Sequence, residues 1–320
     1  MITKVTHNLT NFKNKIELIF LFLAIIFLAL LLRSQWDTLR QQTWQLQSGW
    51  LLLSAAFLLL SWLLEVKIWQ RLLDQVGGDL PFGNAFRIWF LSAIMRYIPG
   101  NIWQPVSITL RCQQHAIRPE ATITSIALYQ AITLLAVIPL SPVYIVLSDN
   151  LSLLNRWLGN AGYLLILLAI SGLLVLLIYP SRLMALLNWG LNRLGREGLQ
   201  AQLSSHALFQ IFLLATLNWL LWGIAFATLT FALGEYSLAE QTQWATALIL
   251  AYPIAYAIGF LSFITPSGFG VREGALYILL APLLGSGVIT VAALAMRVWT
   301  TAGEFILAAY SWFTSSENKA

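Results

Sequence analysis

Five charged residues stand where a strongly apolar chain would place packed helix or lipid: Arg96, Arg272, Glu273, Arg297 and Glu304. Two of the arginines sit beside breaks in the helical pattern. One is Arg96-Tyr97-Ile98-Pro99-Gly100; the other is Thr265-Pro266-Ser267-Gly268-Phe269-Gly270-Val271-Arg272-Glu273-Gly274. Proline and glycine free backbone polar groups, and a bilayer tolerates these only where protein or a water-filled cavity receives them. A broken backbone beside charge is how membrane transporters build midplane binding sites. Arginine adds a planar fork of donors suited to phosphate. Two plainer readings compete with this one. The charges could snorkel from an interfacial turn, or form a network that only holds helices together. Arg297 and Glu304 lie seven residues apart, which at ~100° per residue is the same helix face, ~10 Å along. They therefore need other partners, and Arg272, Glu273 and Arg96 are the available ones.

Other chemistry lacks a signature. Gly268-Phe269-Gly270-Val271-Arg272-Glu273-Gly274 has the spacing G-x-G-x-x-x-G, one residue longer than a dinucleotide fingerprint, and it follows an apolar span rather than a strand. There is no phosphate-binding G-x-x-x-x-G-K-[ST] loop and no G-x-S-x-G elbow. His7, His115 and His206 fall in loops or at segment ends, and the carboxylates come singly. The single Cys112 excludes an internal disulfide and a cysteine metal cluster. The expectation is no catalytic residues, no metal and no cofactor, hence not an enzyme.

The elements that must position the charges are membrane helices. Of 320 residues, 59% are hydrophobic and 10% charged, with mean hydropathy +0.76. Soluble domains carry about 25% charged residues. The fold class is all-α: a polytopic integral membrane bundle in one domain, 1–320, with a polar segment 1–15, membrane helices over 16–313 and a polar tail 314–320. Apolar runs at 16–32, 49–64 (extended to 69), 121–147, 161–179, 207–233, 244–264 and 286–313 are long enough to cross. The first reads as an anchor, without a small-residue cleavage site. Pro139 and Pro142 should kink the end of 121–147. Glu65 and Lys67 fall at the end of their run and read as interfacial anchors. Residues 183–189 read as a short amphipathic helix lying on the surface. The 14 tryptophans suit interfacial belts.

Basic residues decide the orientation. With the N-terminus in the cytoplasm and 82–103 entering and leaving on one side, Lys4, Lys13, Lys15, Lys67, Arg71, Arg111, Arg118, Arg182, Arg193 and Arg196 all fall inside, while Glu235 and Glu240 fall outside. Residues 82–98 are therefore read as re-entrant, and 269–284 as a second re-entrant element. The shared Pro-Gly break beside an arginine points to an internal repeat. The net charge of +5 fits basic loops against anionic headgroups; nucleic acid is not an expected partner.

Arg96-Tyr97-Ile98-Pro99-Gly100, then Pro266-Ser267-Gly268-Phe269-Gly270-Val271-Arg272-Glu273, then Arg297 and Glu304, resemble the flippase-like family also known as the transmembrane region of lysylphosphatidylglycerol synthases. The match runs from about residue 15 to 313. Ser267 departs from the glycine commoner at its position. The resemblance implies a cell-membrane protein that moves a lipid between leaflets: an aminoacylated or anionic phospholipid, or a polyprenyl-linked lipid. Its substrate-binding residues would be Arg96, Pro99, Gly100, Pro266, Gly268, Gly270, Arg272, Glu273, Arg297 and Glu304. In larger relatives a soluble domain makes the lipid. No such domain is written here, so a separate lipid-synthesising transferase is the expected partner. The alternative is an accessory subunit of glycolipid or polyprenyl-sugar synthesis that docks a transferase through 182–196 without moving lipid. A membrane transferase would need a carboxylate or histidine cluster.

Overall fold

The computed structural model describes residues 45–97, 102–148, 159–193, 203–262, 268 and 270–316. The first predicted span, 16–32, lies outside the described residues. Among the described residues all regular structure is helical. In chain order the helices are α1 (Ser48–Gln75), α2 (Phe82–Ala93) with a 3-10 turn (Ile94–Tyr97), α3 (Trp103–Gln113), α4 (Pro119–Leu135), α5 (Leu140–Leu147), α6 (Asn160–Ile178), α7 (Pro180–Arg193), α8 (Ser205–Ala232), α9 (Leu238–Leu261), α10 (Val271–Leu284) and α11 (Ser286–Ser316). By length and composition α1, α4 with α5, α8, α9 and α11 can each cross a bilayer. The chain is a multi-pass all-α membrane protein.

Local sequence explains where the helices stop. Gly77, at φ +87°, takes the left-handed position after α1. The Gly77 N–H then donates to Asp74 O and the Gly78 N–H to Leu73 O, closing the helix end. Pro119 opens α4, where its missing N–H costs nothing. The helix breaks before Pro139 and resumes as α5, as the prolines predict. Ser237 and Glu240 bond reciprocally to cap the start of α9. α6 and α7 meet at a 90° bend at Pro180. α7 buries Leu183 and Met184 and exposes Leu186 and Trp189.

Helix directions follow from the contacts. α1 and α8 run antiparallel: the Gln47 N–H donates to Ala232 O at 2.9 Å, and Ser54 Oγ donates to Ala225 O at 2.8 Å. Trp62, midway down α1, packs edge-on against Trp222 of α8 and Phe90 of α2. α2 and α3 form a hairpin whose entry and exit loops touch, since Gly78 packs against Ile117. α10 lies back along α9, with Arg272 against Gly259. From there it climbs to Tyr144, whose hydroxyl donates to Leu279 O at 2.7 Å. Gly285 turns the chain, and α11 descends past Arg272 and Glu273 with Gly303 packed on Trp62. The two broken hairpins thus open on opposite faces of the bundle. One face carries loops 76–81 and 114–118 and the end of α11. The other carries loop 233–237, Gly285 and the start of α1.

Candidate functional site

The tips of the two hairpins meet about halfway down α11. At the first tip, the 3-10 turn presents Arg96, whose Nη1 donates to Glu304 Oε1 at 2.8 Å. At the second, Gly268 (φ +65°) and Gly270 (φ +82°) both hold left-handed backbone that favours glycine. A Cβ on Gly268 would also strike the Gly259 backbone at 2.8 Å. That geometry starts α10 so that Glu273 folds back on its own helix end. The Gly270 N–H donates to Glu273 Oε2 at 2.7 Å, and an anion there also suits the positive end of the helix dipole. Glu273 Oε1 accepts from Arg297 Nη1 at 2.8 Å and from Arg272 Nη2 at 3.4 Å. Arg272 lies over the rings of Tyr252 and Tyr256, 5.9 and 6.0 Å from their centroids, where cation–π attraction helps hold it. One carboxylate therefore anchors a helix start and fixes two guanidiniums.

Between the tips lies a cavity of about 440 Å³. Arg96, Arg272, Arg297 and Glu304 line it, with Asn218, Trp219 and Trp222 of α8, Tyr129, Gln130 and Thr133 of α4, and Gln104 of α3. Its wall joins charge, amide and hydroxyl groups with aromatic faces. Trp219 is held by its indole N–H, which donates to Thr133 O at 2.7 Å. Asn218 Oδ1 is buried without a hydrogen-bond partner among the described residues, and such an atom calls for a water or a ligand.

Of the residues the sequence singled out, Arg96, Gly268, Arg272, Arg297 and Glu304 line the cavity. Glu273 and Gly270 sit behind Arg272 and Arg297 rather than on the wall, so their part is to position the arginines. Pro99, Gly100 and Pro266 lie outside the described residues. The expectation that Arg272 or Glu273 meets Arg297 or Glu304 holds, through the Glu273–Arg297 pair. Glu65 corrects the sequence reading. It is 8% exposed, lines the cavity and accepts from the Tyr129 hydroxyl at 2.8 Å. The reason is that α1 runs unbroken for ten residues beyond Glu65, ~15 Å, before Gly77 ends it. The missing stop between 65 and 77 is the signal that could have placed this carboxyl inside. Among the described residues no three His, Cys, Asp or Glu side chains gather as a metal site.

The family described as the lysylphosphatidylglycerol synthase TM region matches residues 16–308 of this chain. No curated protein matches it.

Proposed function

The chain belongs to the family of the lysylphosphatidylglycerol synthase TM region, and from that premise we propose that it is a lipid flippase-like transporter of the cell membrane. Its cargo on this reading is a phospholipid or polyprenyl-linked lipid with a phosphate-bearing headgroup. The observation that carries the proposal is the convergence of Arg96, Arg272 and Arg297 on one cavity at the tips of two opposed, broken hairpins. Buried arginine is costly in a membrane and is kept where it binds or couples. Headgroup phosphate would accept from the guanidinium forks. Asn218, Thr300 and Thr301, which line the cavity, would meet its polar remainder, and the acyl tails would stay in lipid. α2–α3 then acts as a re-entrant element from one leaflet, and α10, returning along the α9 span, as a second from the other. On this reading Lys67, Arg71, Arg111 and Arg118 face the cytoplasm, as the excess of Lys and Arg in cytoplasmic loops favours.

The test is reconstitution. Proteoliposomes containing fluorescent phosphatidylglycerol should move the label between leaflets faster than empty liposomes. Arg272→Ala should return the rate to background, with Glu273 still paired to Arg297. Background rates from the unmodified protein, across anionic, aminoacylated and polyprenyl-phosphate lipids, would refute the reading.

A second reading has one observation behind it. α7 turns 90° away from α6 and exposes Leu186 and Trp189, with Arg193 stacked 5.1 Å over Trp189. An accessory subunit would use that surface to dock a transferase. Co-purification of a glycosyltransferase, lost on Arg193→Glu, would favour it.

A further inference from the structure

We infer that Glu65 is a proton-binding site, and that an anionic headgroup and a proton enter this cavity together. The inference rests on the reading that the cavity receives a lipid phosphate. Among the described residues Arg96, Arg272 and Arg297 are matched by Glu65, Glu273 and Glu304, so with every group ionised these six sum to zero before a lipid enters. A phosphodiester brings one more negative charge into a space walled by buried aromatic rings and helices. Uncompensated charge is expensive at such depth. One proton taken up by a carboxyl would restore neutrality.

Geometry selects the carboxyl. Protonating Glu273 would disrupt its contacts to Arg297 at 2.8 Å, to Arg272 at 3.4 Å and to the Gly270 N–H at 2.7 Å. Protonating Glu304 would break its 2.8 Å pair with Arg96. Glu65 has no Lys or Arg within ion-pair distance among the described residues; its partner is the Tyr129 hydroxyl. A tyrosine hydroxyl can both donate and accept, so this contact survives either state of the carboxyl. Protonation there breaks no salt bridge.

The groups facing Glu65 fit that role. From α4 comes Tyr129, while Glu120 lies in the first turn of the same helix, away from the cavity lining. From the turn after α2 comes the Arg96 charge, and from α11 the Glu304 charge, one attracting and one repelling the ionised carboxyl. α2 itself carries Arg87, five residues from its start. From α9 the phenol of Tyr256 faces it. On α8 the described ionisable group is His206, at the first turn and bonded to Gln210. On α1 itself Lys67 is engaged with Gln70. A phosphate that draws Arg96 toward itself also loosens Arg96 from the carboxylates, which strengthens the coupling.

The experiment is calorimetry on the full chain in phosphatidylcholine nanodiscs. The protein is titrated with dihexanoyl phosphatidylglycerol, in buffers of different ionisation enthalpy, at several values between pH 5 and pH 9. The dependence of heat on buffer enthalpy counts protons. The expected result is uptake rising toward about one proton per lipid as pH rises, with affinity falling by up to ~10-fold per pH unit, the slope of one linked proton. Zwitterionic dihexanoyl phosphatidylethanolamine should bind with no uptake. In Glu65→Gln the uptake should vanish and the pH dependence flatten. Binding heat without buffer dependence at any pH would overturn the inference and leave the headgroup reading standing. So would equal uptake with the two lipids or in Glu65→Gln, and the two-lipid comparison needs no variant to fold. No heat with either lipid would remove the headgroup reading, and this inference with it.

Discussion

Replacing Glu273 by Gln probes the anchor on which the site's geometry depends. The substitution keeps shape and leaves an oxygen able to accept from the Gly270 N–H, but removes the charge shared by Arg297 and Arg272. Both guanidiniums are mostly buried, 13% and 11% exposed at the side chain. Removing one member of a buried ion pair costs about 3–5 kcal/mol, because a charge loses its compensation in a poor solvent. At the ~2–4 °C per kcal/mol typical of large domains, the apparent Tm should fall by roughly 6–20 °C. The assay is thermal unfolding in detergent, followed by tryptophan fluorescence. Arg297→Gln and the double variant complete a cycle. The pair should show a coupling of more than about 1 kcal/mol, since its members touch at 2.8 Å. A Tm within ~2 °C of the parent for Glu273→Gln, or a cycle additive to ~0.5 kcal/mol, would refute the claim that this carboxylate holds the arginines.

Arg272→Lys keeps the charge near Glu273 but loses the fork and the broad contact with Tyr252 and Tyr256; lipid transfer should fall by about tenfold or more while Tm moves by only a few degrees. The combined transfer and unfolding assays check this, and equal losses in both would contradict it. Asn218→Leu removes a buried oxygen that has no hydrogen-bond partner among the described residues. Tm should hold or rise by a few degrees while transfer drops, because a polar group left unsatisfied in the fold costs about 1–3 kcal/mol. Cysteine labelling tests the helix directions, and the buried native Cys112 should leave a low background. Gln114→Cys and Thr314→Cys should react from one side of sealed vesicles and Glu235→Cys from the other; Thr314→Cys labelling with Glu235→Cys would overturn the descending direction of α11.

Local features were readable from the residues alone. Runs of apolar residues have a length, and that length against bilayer thickness makes spans. Proline and glycine end or bend helices, so the breaks at Pro139 and at Gly268 and Gly270 were legible. Arginine and glutamate in such surroundings must find partners, and the expectation that Glu273 or Arg272 meets Arg297 or Glu304 rested on that cost alone. A short helix over 183–189 was legible too, and it forms as part of α7.

Which charges meet, and at what depth, follows from how the helices pack. Arg96 and Glu304 are 208 residues apart, and no local pattern pairs them. Their meeting depends on α11 descending between the two hairpins. That direction is in turn set by α10 climbing back along α9 rather than continuing across. Glu65 shows the limit most plainly. At the end of an apolar run it reads as a charge reaching water, yet α1 continues for almost three more turns and Glu65 lies in the wall of the cavity. A side chain's depth depends on where its helix stops and what packs around it, and neither is a property of the residues beside it.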